Sequence, residues 1–534
     1  MKLHLALARS LRQYGVDTMF GLMGDANMFM AHSFVHDTGG RYVAGVHEST
    51  VMFMAVGFAE RTGLPGVATV THGPALTNTV TGLVEGARGR IPLLLIAGDT
   101  ATTARANVQD IDHRSVVRPT GAGFEQARTP QTAIGDLAIA IRRTMLERRP
   151  VVFNVPSEFM WAEVDGEAVE LRRPARQAVR PDPDALRAAA RAIRAARRPL
   201  VLAGRGAVAA RDEILRLADR LGAPVGTTLK AKELFRDEPH DVGIIGGLAE
   251  PAGRAAAEQA DLVVAFGAGL NSYTTRRGSL LTGRPVIAVD VRPEGLPAEV
   301  AVPVAGDAAA VAGELLAAVD EFEIPAGRFR ENLADELARA GRAPRPRTAS
   351  GTVDIETALL KLDSVLPAPR TVVSDGGRFM MESLRHIRVH HPAQFVWAGN
   401  FGSIGTGMGA AIGAAVGRPD HPVVLVSGDG GFMHGGAAEF ATAVREGLDL
   451  IVIICNDGGY GAEHVQFVER GLDPAMSLFA WPDLARVAEA MGGDAITVRH
   501  LDDLEVAAKA IDRRTRPLVI DLRVDVDHIT GMQH

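Results

Sequence analysis

Two short stretches hold the residues best suited to chemistry. Gly428-Asp429-Gly430-Gly431 interrupts an apolar run over 423–427, and Asn456-Asp457, followed by Gly458-Gly459, interrupts another over 450–455. A carboxylate and an Asx pair are hard oxygen donors of the kind that bind a divalent cation. The glycines beside them let backbone amides come close to an anion. Together the two stretches suit a diphosphate bridged by magnesium. A Gly-Asp-Gly alone is usually no more than a turn. Two such loops, each ending an apolar run, make a more specific pattern.

The elements around these loops must bring them together. The apolar runs read as buried strands, and 437–446 between them has helical spacing, with Phe440, Ala443 and Val444 on one face. A right-handed strand–helix–strand crossover makes the strands parallel and sets their carboxyl ends on one edge. Asp429 is therefore expected to face Asn456-Asp457.

The same alternation runs through the chain. It begins with a helix over 3–15, a strand over 18–20 and the loop Gly21-Leu22-Met23-Gly24-Asp25. A strand over 41–46 is broken by His47-Glu48 ahead of a long helix, and a strand over 66–70 leads into Thr71-His72-Gly73-Pro74-Ala75-Leu76-Thr77-Asn78. Strands over 91–97 and 151–155 follow. A second set starts with a helix over 184–197, Asp184 being its expected start residue, and continues through strands over 199–203, 262–266 and 286–289. A third starts with a helix over 354–362 and runs through a strand over 371–375 and a glycine-rich loop over 399–405 to a last strand over 518–522. Segments 172–183 and 340–351, rich in arginine and proline, read as linkers. The expected fold class is α/β, with three doubly wound parallel-sheet domains at 1–165, 184–340 and 352–534.

A chain of 534 residues is too long for one core. Its 47% hydrophobic content and 58 glycines suit a soluble α/β protein with many tight turns. The net charge of −7 argues against nucleic acid or an anionic membrane as the main partner. A single cysteine, Cys455, excludes a disulfide framework and a cysteine-rich zinc site and fits a reducing compartment. No apolar run approaches the roughly 20 residues of a membrane helix, and the first residues read as an amphipathic helix rather than a signal peptide. The expectation is a cytoplasmic protein with small-molecule partners. The loops Ala203-Gly204-Arg205-Gly206 and Gly267-Ala268-Gly269 lack a complete GxGxxG, which disfavours a dinucleotide there.

Strand, GDGG, about two dozen residues, strand, Asn-Asp: this order resembles the cofactor motif of thiamine-diphosphate (ThDP) enzymes. Over essentially the whole chain the three domains resemble the pyrimidine-binding, middle and diphosphate-binding domains of the acetolactate synthase, pyruvate decarboxylase and benzoylformate decarboxylase group. The resemblance implies ThDP and Mg2+ as cofactors, with Asp429, Asn456, Asp457 and the carbonyl of Gly459 around the metal. Asn456 stands at the family's usual count, 27 residues beyond Asp429 (429 to 456). The context Asn-Asp-x-x-Tyr-Gly nevertheless favours Asp457 as the side-chain ligand, with one extra residue near Gly435-Gly436. Gly428, Gly430, Gly431, Asn78 and Tyr460 are implied as cofactor neighbours. In the loop Gly402-Ser403-Ile404, the resemblance makes Ile404 the bulky residue that wedges between the two cofactor rings. Glu48 takes the place of the glutamate that sits on the aminopyrimidine nitrogen; from the residues alone it is a helix-start acid. Some members bind FAD in the middle domain and others bind nothing, and FAD is disfavoured here.

The thiazolium carbon of ThDP adds to carbonyls and stores the resulting carbanion, while the protein supplies position and electrostatics. Asp25, His72, His113 and Glu463 fall where the resemblance puts groups facing that carbon, and they form a candidate proton relay. Acids there favour protonation to an aldehyde. The implied activity is a non-oxidative 2-oxo acid decarboxylase with carboligase capacity. Asn27, Gln109 and the overall length equally suit an acetolactate-synthase-like carboligase or lyase of 2-oxo acids or diketones, and Ala75 in place of a usual glycine points to an unusual substrate. A third reading, a catalytically silent cofactor-binding subunit, is disfavoured by the joint presence of Glu48, Asp429 and Asn456-Asp457. The resemblance also implies a homo-oligomer, dimer or tetramer, in which Glu48 of one subunit meets Asp429 of another.

Overall fold

The computed structural model describes residues 1–104, 106–166, 169–171, 178–339 and 349–527. Its strands form three six-stranded parallel sheets, each flanked by helices. The first sheet contains β1 (Thr18–Gly21), β2 (Arg41–Ala44), β3 (Gly66–Val70), β4 (Leu93–Asp99), β5 (Gly123–Gln126) and β6 (Val151–Pro156), in the order β2-β1-β3-β4-β6-β5. The second contains β7 (Pro199–Ala203), β8 (Val225–Thr227), β9 (Asp241–Ile244), β10 (Leu262–Phe266), β11 (Val286–Asp290) and β12 (Val302–Ala305), ordered β12-β11-β10-β7-β8-β9. The third contains β13 (Thr371–Ser374), β14 (Phe395–Trp397), β15 (Val423–Gly428), β16 (Leu450–Asn456), β17 (Asp494–Val498) and β18 (Leu518–Arg523), ordered β14-β13-β15-β16-β18-β17. The chain divides into two compact units, one carrying the first and third sheets and the other the second.

Central strands are the unbroken apolar runs. All residues of β3 and β16 are buried, as helices on both faces of a parallel sheet require. Five strands that the sequence pattern does not single out, β5, β9, β12, β14 and β17, are sheet edges. They are three to five residues long, and β5 and β17 are half-exposed along most of their length, so they carry no strong pattern. The helix expected over 184–197 is Pro183–Ala195, and its capping residue is Asp182 rather than Asp184. The Asp182 carboxylate accepts from the N–H groups of Asp184 (2.8 Å) and Ala185 (3.1 Å), and Pro183 takes the first helical position, where no N–H is needed. Most of the expected linkers, 172–183 and 340–351, lies outside the described residues.

In the unit with the first and third sheets, the helix Glu48–Thr62 packs directly on the helix Gly407–Gly417. Three glycines permit it. A Cβ at Gly413 would overlap the Met54 carbonyl oxygen, one at Gly57 would overlap that of Ala410, and one at Gly409 would lie 2.8 Å from the Thr50 carbonyl oxygen. A continuous core joins residues of both sheets, from Phe20, Val43 and Leu95 to Val373, Leu425 and Val452.

In the other unit, the glycine loops after β7 and β10 close on each other. Gly206 N–H donates to Gly267 O at 3.1 Å, and a Cβ at Gly204 would lie 2.6 Å from Ala268 Cα. These glycines thus have a packing reason that needs no nucleotide. Among the described residues no helix is long and apolar enough to cross a membrane.

Candidate active site

β15 and β16 run side by side in register, Gly428 opposite Cys455, so the residues that follow emerge together at the carboxyl edge. Asp429 opens a helical turn and is buried, and among the described residues its Oδ2 has no hydrogen-bond partner. Burial raises the Asp429 carboxyl above its ordinary range. Asp457 is raised too, by burial first and then by the charge of Asp429. The Gly459 N–H faces both carboxyls and offsets part of that cost. Asn456 is turned elsewhere: its Nδ2 donates to Asp521 Oδ1 at 2.8 Å, and its Oδ1 accepts from Gly458 N–H at 3.2 Å. Of the two Asx residues, Asp457 is the one beside Asp429. Gly461 is required there, since a Cβ would collide with Asp457 Oδ2. The segment Phe432–Gly436, where the sequence expects one extra residue, is a π-helical turn, the geometry in which a helix absorbs an insertion.

The glycines of the first loop also serve the protein's own packing. A Cβ at Gly430 would meet the Tyr460 ring at 2.6 Å, one at Gly431 would meet Asp375 Oδ2 at 2.9 Å, and one at Gly428 would meet Phe379 at 3.2 Å. Tyr460 in turn packs edge-on to Phe479, which stacks on Trp481.

Asp375, at the end of β13, ties this loop to the loop carrying Ile404. It is fully buried, and its Oδ1 accepts from Gly376 N–H (2.8 Å) and from the hydroxyl and N–H of Thr406 (3.1 and 3.3 Å). Its Oδ2 accepts from Gly405 N–H (3.1 Å) and the Ser427 hydroxyl (3.2 Å). Burial holds its carboxyl above the usual range despite these bonds. Ile404 lies half-buried over Gly376, whose Cβ would be 3.6 Å from Ile404 Cγ2, and Gly402 and Gly405 adopt φ of +84° and +76°. The Ser403 hydroxyl bonds the Ile404 carbonyl at 3.2 Å. From the first sheet's side, buried Glu85 accepts from the N–H groups of Asn400 (2.9 Å) and Phe401 (2.7 Å) at the start of this loop.

Glu48 is the first residue of its helix, and its Oε2 accepts from Asn78 Nδ2 at 3.0 Å. The turn before it is held by Glu439 of the third sheet's helix Ala437–Arg445, whose Oε1 accepts from the N–H groups of Val46 (2.7 Å) and His47 (3.1 Å) and the Thr50 hydroxyl (2.5 Å). β1 and β3 are neighbours, and they bring Asp25 and His72 together: His72 Nδ1 is 3.5 Å from Asp25 Oδ1. Thr71 Oγ1 lies within 3.0 Å of both atoms. His113 is buried on the far side of the same loop, its Nε2 accepting from Gly73 N–H at 3.1 Å and its Nδ1 donating to Asn154 Oδ1 at 2.7 Å. Both its ring nitrogens are engaged within the protein, and one of them holds the Gly73 turn (φ +59°). Glu463 is exposed in the first turn of the helix Gly461–Glu469, and among the described residues no hydrogen bond or ion pair joins it to this group.

Sequence reasoning did not single out Asp375, Glu439, Glu85 or Thr71. Asp375 had a signal, a strand-ending Asp before Gly376-Gly377; the two glutamates sit on helices, where a surface acid looks the same.

Comparison with known proteins bears directly on this arrangement. Residues 1–116, 186–315 and 375–522 match, in that order, the thiamine pyrophosphate enzyme N-terminal TPP binding domain, central domain and C-terminal TPP binding domain. A probable 2-ketoarginine decarboxylase of Pseudomonas aeruginosa is 31% identical over 97% of this chain and 93% of its own length. The chain belongs to the thiamine pyrophosphate enzyme family. Other relatives include the acetolactate synthase large subunit of Haemophilus influenzae, 25% identical over 99% of this chain and 95% of its own, and a sulfoacetaldehyde acetyltransferase of Alcaligenes xylosoxydans xylosoxydans, 26% identical over 94% and 89%.

For a thiamine pyrophosphate enzyme the residues present fit the cofactor. Asp429 Oδ2, without a hydrogen-bond partner among the described residues, and the two carboxyls raised by burial, Asp457 further by the charge of Asp429, are groups a divalent cation would satisfy. Among the described residues no cluster of three or more His, Cys, Asp or Glu could hold a metal.

Proposed function

We propose that this chain is a ThDP- and magnesium-dependent enzyme acting on carbon–carbon bonds next to a carbonyl, as a non-oxidative 2-oxo acid decarboxylase with carboligase capacity. The observation that supports the reaction type is the acid–base group of Asp25, Thr71 and His72 at the strand ends of the first sheet. In this reading Asp429, Asp457 and the Gly459 carbonyl hold magnesium, with Asn456 buttressing them through Asp521. The amides around Gly428, Gly430 and Gly431 would take the diphosphate, Tyr460 backs that loop, and Ile404 on the Gly402-Ser403 turn would pack against the cofactor. When bound, ThDP supplies an acidic thiazolium carbon that adds to the substrate carbonyl and accepts its electrons. Glu48, steadied by Asn78, exchanges a proton at the aminopyrimidine nitrogen. Asp25 and His72 deliver the proton that completes an aldehyde product, Glu463 reaches the substrate from its exposed helix end, and His113 holds the turn beneath His72.

The enzyme is also proposed to be a cytoplasmic homo-oligomer with sites shared between subunits. Supporting this, Met23, Val46 and Phe401 are large apolar residues 58%, 47% and 39% exposed, each within three positions of a candidate site residue. A second copy covering these residues would exclude water from the site residues beside them. Relatives named acetolactate synthase favour a second reading, a carboligase.

Carbon dioxide release with ThDP and magnesium tests the proposal, on a panel of 2-oxo acids with products identified by mass. A 2-oxo acid with a guanidino side chain belongs in it because of the 31% relative's name. Carbon dioxide with free aldehyde is expected. Hydroxyketone without aldehyde would replace the decarboxylase by the carboligase, and bound cofactor with no turnover would leave a silent subunit.

A further inference from the structure

The loop after β3 places a hydroxyl between two groups that can carry a proton. Thr71 Oγ1 is 3.0 Å from Asp25 Oδ1 and 3.0 Å from His72 Nδ1, with Ala26 N–H at 3.4 Å. An ionised carboxylate only accepts, so the hydroxyl donates to Asp25 and keeps its lone pairs for the other two. His72 Nδ1 then carries a hydrogen, and its Nε2 is the ring atom left for exchange. The direct His72–Asp25 separation, 3.5 Å, is longer than either leg through the hydroxyl. We propose that Thr71 is a positioning residue for proton transfer, its hydroxyl linking His72 to Asp25; this rests on the acid–base role given to those two above.

The local structure is built around that hydroxyl. A Cβ at Gly24 would lie 2.6 Å from Thr71 Cβ and 2.9 Å from its Oγ1, so only glycine before Asp25 admits Thr71. Asn27, buried behind the loop, fixes it by accepting from Gly24 N–H (2.8 Å) and donating to Leu22 O (3.1 Å) and Thr69 Oγ1 (3.2 Å). His72 is 2% exposed, so bulk water competes poorly for its ring. The groups facing the link are Asp25 and His72 themselves, with His113 behind Gly73. The transfer balances. An imidazolium passes its Nδ1 proton to Thr71 Oγ1 as that oxygen passes its own proton to Asp25 Oδ1, leaving a neutral imidazole, a hydroxyl and a carboxylic acid.

Thr71→Val keeps the shape and removes the hydroxyl; Thr71→Ser keeps the hydroxyl. In the holoenzyme, on the 2-oxo acid that releases most carbon dioxide, Thr71→Val is expected to lower kcat at least about tenfold, with KM within about threefold and an altered pH profile of kcat, while Thr71→Ser stays within about threefold of the parent. A readout without turnover accompanies it: in cofactor-free protein labelled with 15N-histidine, the His72 signals, assigned through His72→Gln, should lose the Nδ1–H tautomer in Thr71→Val and keep it in Thr71→Ser. Thr71→Ala replaces the valine variant where melting shows that one unfolded. Parental kcat and tautomer in a folded variant without the hydroxyl would overturn the inference. Asp25→Asn separates the two failures. Unchanged turnover in Asp25→Asn removes the acid–base reading itself, whereas a loss in Asp25→Asn beside parental Thr71→Val removes only the role of Thr71.

Discussion

Glu48 and the Ile404 loop stand at the starts of two helices, and Gly413 sets how closely those helices approach. Gly413→Ala adds one methyl group where the Met54 carbonyl oxygen already lies. The helix pair would have to part by roughly 1 Å, and overpacking of this kind costs about 1–3 kcal/mol. A shift of that size moves Glu48 and the Ile404 loop each against the groups with which it would share a cofactor, and misplacement of this kind costs on the order of a hundredfold in rate. Gly135 supplies the opposite case: it sits in the helix Ala133–Glu147 of the same unit, and a Cβ there meets nothing within 4 Å. Gly135→Ala should stabilise by up to about 1 kcal/mol, the ordinary gain of alanine over glycine in a helix. Urea unfolding of both variants, paired with kcat on the best substrate, checks the sign. Equal stability changes in the two variants, or a Gly413→Ala enzyme with parental stability and turnover, would refute the claim that this contact fixes the site.

Three other outcomes are expected. Glu439→Gln removes the charge that binds Val46 N–H, His47 N–H and the Thr50 hydroxyl; it should cost about 1–3 kcal/mol in urea unfolding and lower kcat, and unchanged values for both would show that the turn before Glu48 stands without it. In metal-free protein, the raised Asp429 and Asp457 carboxyls keep protons that the unfolded chain has lost. Stability should therefore fall as pH rises from about 4 through the raised values, and Asp457→Asn should flatten that fall; melting in chelator that is equally steep in both proteins would contradict the pairing. A Glu48→Gln chain coexpressed with an Asp429→Ala chain should regain activity, because one shared site collects both lesions and the other none. Isolated mixed oligomers with only parental mutant activity would mean that each site belongs to one chain.

What the sequence disclosed follows from the strength of each local signal. β15 and β16 are uninterrupted apolar runs broken by Gly and Asx, so both strands, their parallel pairing and the meeting of Asp429 with Asp457 follow from pattern and crossover handedness. Edge strands such as β5, Gly-Phe-Glu-Gln, bury one residue and carry no alternation, so nothing in their composition separates them from loop. The contacts of His113 were illegible for another reason. A histidine near a loop end reads the same whether its nitrogens face a substrate or, as here, Gly73 N–H and Asn154, and Asn154 comes from a strand 41 residues away. Thr71 was hidden in the same way, since its partner Asp25 lies 46 residues earlier in the chain.

Glu439 and Glu85 show why the first and third sheets form one unit rather than two neighbours. Each is a buried carboxylate that takes two consecutive backbone N–H groups of the other sheet's site-bearing segment: Glu439 those of Val46 and His47 ahead of Glu48, Glu85 those of Asn400 and Phe401 ahead of Ile404. A buried carboxylate is costly unless the donors that satisfy it are fixed in place. The glycine-mediated contact of the helices Glu48–Thr62 and Gly407–Gly417 does the fixing, because it brings the two segments into reach of the opposite carboxylate. The exchange is reciprocal, so loosening either sheet's packing strands a carboxylate in both halves. The segments carrying Glu48 and Ile404 are thereby placed by backbone and by buried carboxylates of the opposite sheet's helices.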